Sequence, residues 1–80
     1  MGRLINRPVP VTTDPEGRLL QFRWRGSWFN VAILEEWRDT GAWWQGEQEK
    51  VFYRVEGVGG VFELYRETPG SRWYLYKIYD

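Results

Sequence analysis

From Arg18 onward, apolar and polar positions alternate. In "RLLQFRWR" (18–25) Leu20, Phe22 and Trp24 share one face, and Gln21, Arg23 and Arg25 share the other. In "SWFNVAIL" (27–34) Phe29, Val31 and Ile33 fall on one side. In "KVFYRVE" (50–56) Val51, Tyr53 and Val55 oppose Phe52, Arg54 and Glu56; in "GVFELYR" (60–66) Phe62 and Leu64 oppose Val61, Glu63 and Tyr65. A period of two in segments rich in aromatic and β-branched residues predicts strands. The last segment, "RWYLYKIYD" (72–80), is apolar on both sides. It reads as a strand buried on one face and partly covered on the other. "ILEEWRD" (33–39) has Leu34 and Trp37 at helical spacing, but its β-branched lead-in favours strand to about Glu35.

Turn chemistry separates these segments. "DPEG" (14–17) has the pattern of a type I turn, and "TPGS" (68–71) that of a type II turn. "RGSW" (25–28) predicts a two-residue hairpin centred on Gly26 and Ser27, as a type II′ turn prefers, and "EGVGGV" (56–61) a glycine-rich hairpin loop. About six short strands joined by hairpins predict an all-β fold. The expected form is one antiparallel meander over residues 1–80, curled into a small SH3-like barrel or half-barrel.

Composition changes this picture in two ways. A chain of 80 residues buries only roughly 60–65% of its unfolded surface, so small domains often need a staple. With no Cys and no His, disulfides, thiolate and imidazole chemistry and the usual zinc or copper sites are excluded. The substitute is aromatic mass: 6 Trp, 5 Tyr and 4 Phe. No cofactor is expected. Eleven cations and eleven anions cancel, which argues against a non-specific nucleic-acid binder. Nine of the cations are Arg, suited to planar and stacked contacts. There is no apolar run long enough for a transmembrane helix, and "MGRLINRPVP" has no secretory h-region, so a cytoplasmic, membrane-free protein is expected.

Four features could carry chemistry. Asp39-Thr40-Gly41 opens the catalytic loop of aspartic proteases, but a single copy would need a homodimer and the flanking apolar strands are missing, so a turn is the better reading. Trp43 and Trp44 are neighbours, so in a strand they point to opposite faces: one can plug the core while the other forms a stacking platform. Arg23, Arg25, Arg54, Arg66, Arg72 and Lys77 are interleaved with Phe52, Tyr65, Tyr74 and Tyr76. Cations beside rings suit single-stranded nucleic acid, yet Glu56, Glu63 and Glu67 share the same strands, and cross-strand Arg–Glu pairs on a solvated face explain the same residues. Glu35, Glu36 and Asp39 form the compact acidic group, with no second ligand set or nucleophile nearby, so a solvated strand end is expected.

Trp37 to Trp44, then "YRVE" (53–56), "GVFELYRE" (60–67) and "WYLYKIYD" (73–80), resemble an uncharacterised family of small bacterial proteins with a W-x-x-T-G-x-W-W element. The resemblance spans residues 20 to 80 and marks Trp37, Thr40, Gly41, Trp43, Trp44, Tyr53, Arg54, Phe62, Leu64, Trp73 and Leu75. The later half is also similar to the C-terminal tail of ImuB-type proteins, catalytically dead relatives of Y-family DNA polymerases. That likeness implies an accessory role in translesion synthesis or DNA-damage tolerance, with a polymerase-like partner and no catalytic residue.

The expected function is a non-enzymatic protein-interaction module. Its contact residues would be Trp43, Trp44 and Trp37, with Tyr65 and Arg23, Arg25, Arg54 and Arg66 as further candidates. Two other readings stand: a single-stranded nucleic-acid-binding barrel using the arginines and a Trp platform, and a structural domain that forms homodimers through a strand edge.

Overall fold

A computed structural model describes residues 2–39, 46, 49–68 and 72–79. It is all-β: seven strands, β1 (Gly2–Pro8), β2 (Val11–Thr13), β3 (Leu19–Trp24), β4 (Ser27–Asp39), β5 (Glu49–Gly57), β6 (Gly60–Thr68) and β7 (Trp73–Tyr79). They form one antiparallel sheet in the order β1-β7-β6-β5-β4-β3-β2. From β3 to β7 the chain is a meander, as the alternation predicts, and β2 extends it by one strand. The N-terminal residues, which carry no clear alternation, supply the two edge strands. Since β1 and β2 lie at opposite edges but are separated by only Val9 and Pro10, the sheet must curl until its edges meet there. The Val9 amide donates to Trp73 O on one side, and the Arg23 amide donates to Pro10 O on the other, at 3.0 Å each. The result is a curled half-barrel. No helix among the described residues is long and apolar enough to cross a membrane.

The inner face holds the core expected from the alternation, Phe22, Val51, Tyr53, Val55, Phe62 and Leu64, joined by Trp73, Leu75, Val9, Leu19 and Ile78. Phe29, Val31 and Ile33 pack against it. Four bulges shift the pattern, each adding one residue to one strand. In β3 the extra residue is Leu20, because Thr12 pairs with Gln21 but Thr13 with Leu19. Leu19 is therefore buried, and Leu20, expected beside Phe22 and Trp24, is 45% exposed. In β4 the extra residue is Leu34, which leaves Glu35 and Trp37 on the outer face. The strand continues to Asp39, beyond the Glu35 limit that the sequence suggests. In β7 it is Tyr76. The fourth lies in β1 between Leu4 and Arg7, where Asn6 adopts φ +52°.

Turn geometry corrects one expectation. Trp24 pairs with Ser27, so the hairpin is centred on Arg25 (φ +52°) and Gly26 (φ +79°) rather than on Gly26 and Ser27. Positive φ at both central positions is the type I′ turn, whose twist matches the flanking strands. At Asp14 the type I turn forms as read: the Gly17 amide donates to Asp14 O at 2.9 Å. The Asp14 carboxylate accepts the Arg18 and Glu16 amides at 2.8 and 2.9 Å, and these bonds, led by that from Arg18, hold its pKa below the ordinary 3.8. The order this carboxylate lends the loop is therefore complete above pH 3.8 and lost as pH falls through the lowered value. An NMR titration of the Glu16 and Arg18 amides should show one acidic transition below that pH; a midpoint above it would contradict the capping role. The "TPGS" turn lies largely outside the described residues.

The 56–61 loop has one residue without freedom. Gly57 pairs with Gly60, whose φ is +147°, and a Cβ there would stand 2.8 Å from Tyr79 O. Gly60→Ala combines a forbidden φ with a backbone clash, so it should cost at least about 1–3 kcal/mol in a thermal melt. Gly59→Ala meets no neighbour within 4 Å and should cost less.

Candidate functional site: the outer aromatic row

The outer face of β4–β7 is as ordered as the core. Pairing registers Trp37 with Phe52, Phe52 with Tyr65, and Tyr65 with Tyr74, so one aromatic residue from each of four strands stands in a single row. Trp37 and Phe52 stack at 5.5 Å with 5° between planes, and Tyr65 and Tyr74 stack at 4.9 Å and 13°. Tyr76, the bulge residue of β7, sets its ring edge-on to Phe52 at 5.4 Å and to Tyr65 at 5.8 Å. Cross-strand aromatic pairs of this kind stabilise a sheet by roughly 0.2–1 kcal/mol each. Tyr65, at the centre, is only 6% exposed; the other four rings are half-buried. The Tyr65 hydroxyl donates to Asn6 Oδ1 at 2.7 Å, and burial, then the charge of Glu67, raises its pKa, keeping it a donor.

Charged residues run along both sides of this row. On one side the register gives Glu35, Arg54, Glu63 and Lys77 across the four strands; on the other it gives Asp39, Lys50 and Glu67, with Arg72 beside Glu67. Signs alternate, so four anions stand against four cations. Glu63 is 5% exposed and is the acceptor at the centre: Arg54 Nη2 donates to its Oε1 at 3.2 Å and the Tyr79 hydroxyl at 2.8 Å. Arg54 also reaches Glu35 at 3.5 Å and lies 5.8 Å from the Trp37 ring. The hydrogen bond to Glu63, then the nearby Glu35 charge, raises the Arg54 pKa. Lys50 and Lys77 sit 5.1 and 5.7 Å from the rings of Tyr65 and Tyr76.

Of the expected contact residues, Trp37, Tyr65 and Arg54 come together here. Arg66 does not: it lies on the inner face between Val51 and Trp73, 6.0 Å from the Trp73 ring. Arg23 faces Trp28 on the β3–β4 hairpin, and Arg25 sits in the hairpin turn, 5.6 Å from Trp24. The four arginines therefore do not converge on one surface. Trp43, Trp44, Thr40 and Gly41 lie outside the described residues. Of the acidic group, Glu35 pairs with Arg54, and the Leu34 bulge turns Glu36 to the opposite face beside Tyr53. Among the described residues no three Asp or Glu side chains are placed to hold a metal ion. The sequence sets Phe52, Tyr74 and Tyr76 among the strand cations but does not single them out as contact residues. Their signal was present in the alternation of 50–56 and in the two-sided apolar pattern of 72–80, but the row exists only once the register is known.

No curated protein and no solved structure matches this sequence. A family model does, over residues 5–80, which takes in β2 to β7, the latter part of β1 and the whole aromatic row: the chain belongs to the family described as a domain of unknown function, DUF6504.

Proposed function

We propose that this domain is a non-enzymatic interaction module that meets a protein partner through the row Trp37–Phe52–Tyr65–Tyr74 with Tyr76. The observation that supports it most is the pairing of an aromatic centre with charged borders that compensate one another. Protein interfaces have this anatomy: rigid aromatic anchors inside and a polar rim that shields them from water. A sheet whose outer face served only solubility would not need five rings in mutual contact. The partner class comes from the resemblance to the tail of ImuB-type proteins: a polymerase-like protein acting in DNA-damage tolerance. The sequence adds Trp43 and Trp44 to the proposed contact as candidates.

Cations over the rings of Tyr65 and Tyr76 favour a second reading, single-stranded nucleic acid. The balance of four anions and four cations beside the row weighs against it, since phosphate binding calls for net positive charge. The test is affinity capture from the damaged native host with the wild-type domain and with Trp37→Ala, beside a fluorescence titration with oligothymidylate at low and physiological salt. A polymerase-like protein held by wild type and lost from the variant supports the protein reading. Salt-sensitive oligothymidylate binding that Trp37→Ala abolishes, with no such protein captured, overturns it.

A further inference from the structure

β1 is paired on one side only. β7 takes one edge of Gly2–Pro8, and among the described residues no strand takes the other. The barrel seam is closed at Val9 and Pro10 by their bonds to Trp73 and Arg23. Beyond that point the tip of the β3–β4 hairpin faces β1 across an open cleft of about 470 Å³, lined by Leu4, Ile5, Arg7, Trp24 and Arg25. That volume is within the range of ligand pockets. Among the described residues no carboxylate lines the cleft, and neither Arg7 nor Arg25 forms an ion pair. The aliphatic wall is open to solvent: Leu4 is 65% exposed. The Asn6 bulge, pinned by the Tyr65 hydroxyl, fixes the strand between Ile5 and Arg7.

We propose that this cleft takes an extended acidic peptide segment of a partner protein, which adds as a strand to the free edge of β1. Its carboxylates would meet Arg7 and Arg25, and an apolar side chain would rest on Leu4, Ile5 and Trp24. Strand addition supplies backbone hydrogen bonds, while alternate side chains supply specificity. Pro8 and Pro10 lack an N–H, so pairing is confined to residues 2–7. Charge decides among the occupants. A second copy of the chain would bring Arg3 and Arg7 of one β1 against the same residues of the other, and like charges opposed across strands are unfavourable. Arginines on an open edge are a known defence against self-pairing; the same cations attract an acidic strand. Nucleic acid would gain the two cations but would leave the backbone edge and the aliphatic wall unused. This inference rests on the protein-partner reading but uses a surface separate from the aromatic row, so each can fail without the other.

The test is a ¹⁵N NMR titration of the full chain with a blocked octapeptide of alternating glutamate and leucine. The same peptide with lysine for glutamate, and octathymidylate, serve as comparisons. The acidic peptide should shift the amides of Leu4–Arg7 and of Trp24 and Arg25. The double variant Arg7→Gln, Arg25→Gln, both exposed, should keep its remaining spectrum and bind roughly tenfold more weakly. Equal binding of the lysine peptide, shifts confined to Trp37, Phe52 and Tyr74, or no shift at millimolar peptide would each overturn the proposal. So would tighter binding of octathymidylate at the same amides.

Discussion

Phe22→Ala should leave the domain unfolded or melting at least about 12 °C lower. Phe22 is 0% exposed and stands between Phe29 at 5.5 Å and Phe62 at 5.2 Å. β3 and β6 are not neighbours in the sheet, so this contact crosses the barrel interior and holds its two walls together. Removing a buried phenyl ring costs about 3–5 kcal/mol. A domain of this length has roughly 4–12 kcal/mol of total stability, and each kcal/mol lost lowers Tm by about 4–8 °C. Leu20→Ala is the matched comparison, two residues away in a strand where plain alternation would place both side chains inside. Because the bulge turns Leu20 outward, its loss should cost only about 0.5 kcal/mol. Circular-dichroism melts of the two variants decide the matter. Equal losses would mean that the bulge in β3 is misplaced.

Trp37→Ala should weaken the captured partner by about thirtyfold or more while the domain stays folded. Truncated interface tryptophans commonly cost 2 kcal/mol or more in binding. Trp37 is half-buried, at the β4 end of the row, with one face on Phe52 and the Arg54 guanidinium close by. Its stability loss should be no more than a few kcal/mol, and a melt measures it independently of binding. Trp28, 48% exposed on the β3–β4 hairpin, controls for the loss of a large surface ring. Titration calorimetry of wild type, Trp37→Ala and Trp28→Ala against the partner should rank Trp37→Ala far weaker and leave Trp28→Ala within about twofold of wild type. The reverse order would place the contact on the hairpin.

The strands from β3 to β7 and most of the inner face were legible in the sequence because alternation is a local property. Val51, Tyr53 and Val55 needed only the period of two. What the sequence hid was created by pairing. Nothing around Leu34 announces that it is an extra residue, yet that bulge carries Trp37 to the outer face and separates Glu36 from Glu35. Tyr76 joins the aromatic array for the same reason. The hairpin at Arg25–Gly26 was displaced by one residue because arginine at positive φ is uncommon, and a glycine with serine after it reads equally well as the turn's centre. β1 was obscure because Arg3, Arg7 and Pro8 interrupt its pattern, features that suit the edge of a sheet, and β2 because the three residues Val11–Thr13 are too few to show a period. Arg54 and Arg66 are both strand arginines, but Arg54 alternates away from Val51, Tyr53 and Val55 whereas Arg66 follows Phe62 and Leu64, which puts them on opposite faces.

The claim that the aromatic row is the partner surface is tested most directly by photo-crosslinking in the damaged native host. p-Benzoylphenylalanine would stand in place of Tyr76 in one experiment and in place of Trp28 in another. The account predicts a protein adduct at position 76 and none at position 28. An adduct at position 28 alone, or crosslinking at position 76 to nucleic acid rather than to protein, would contradict it.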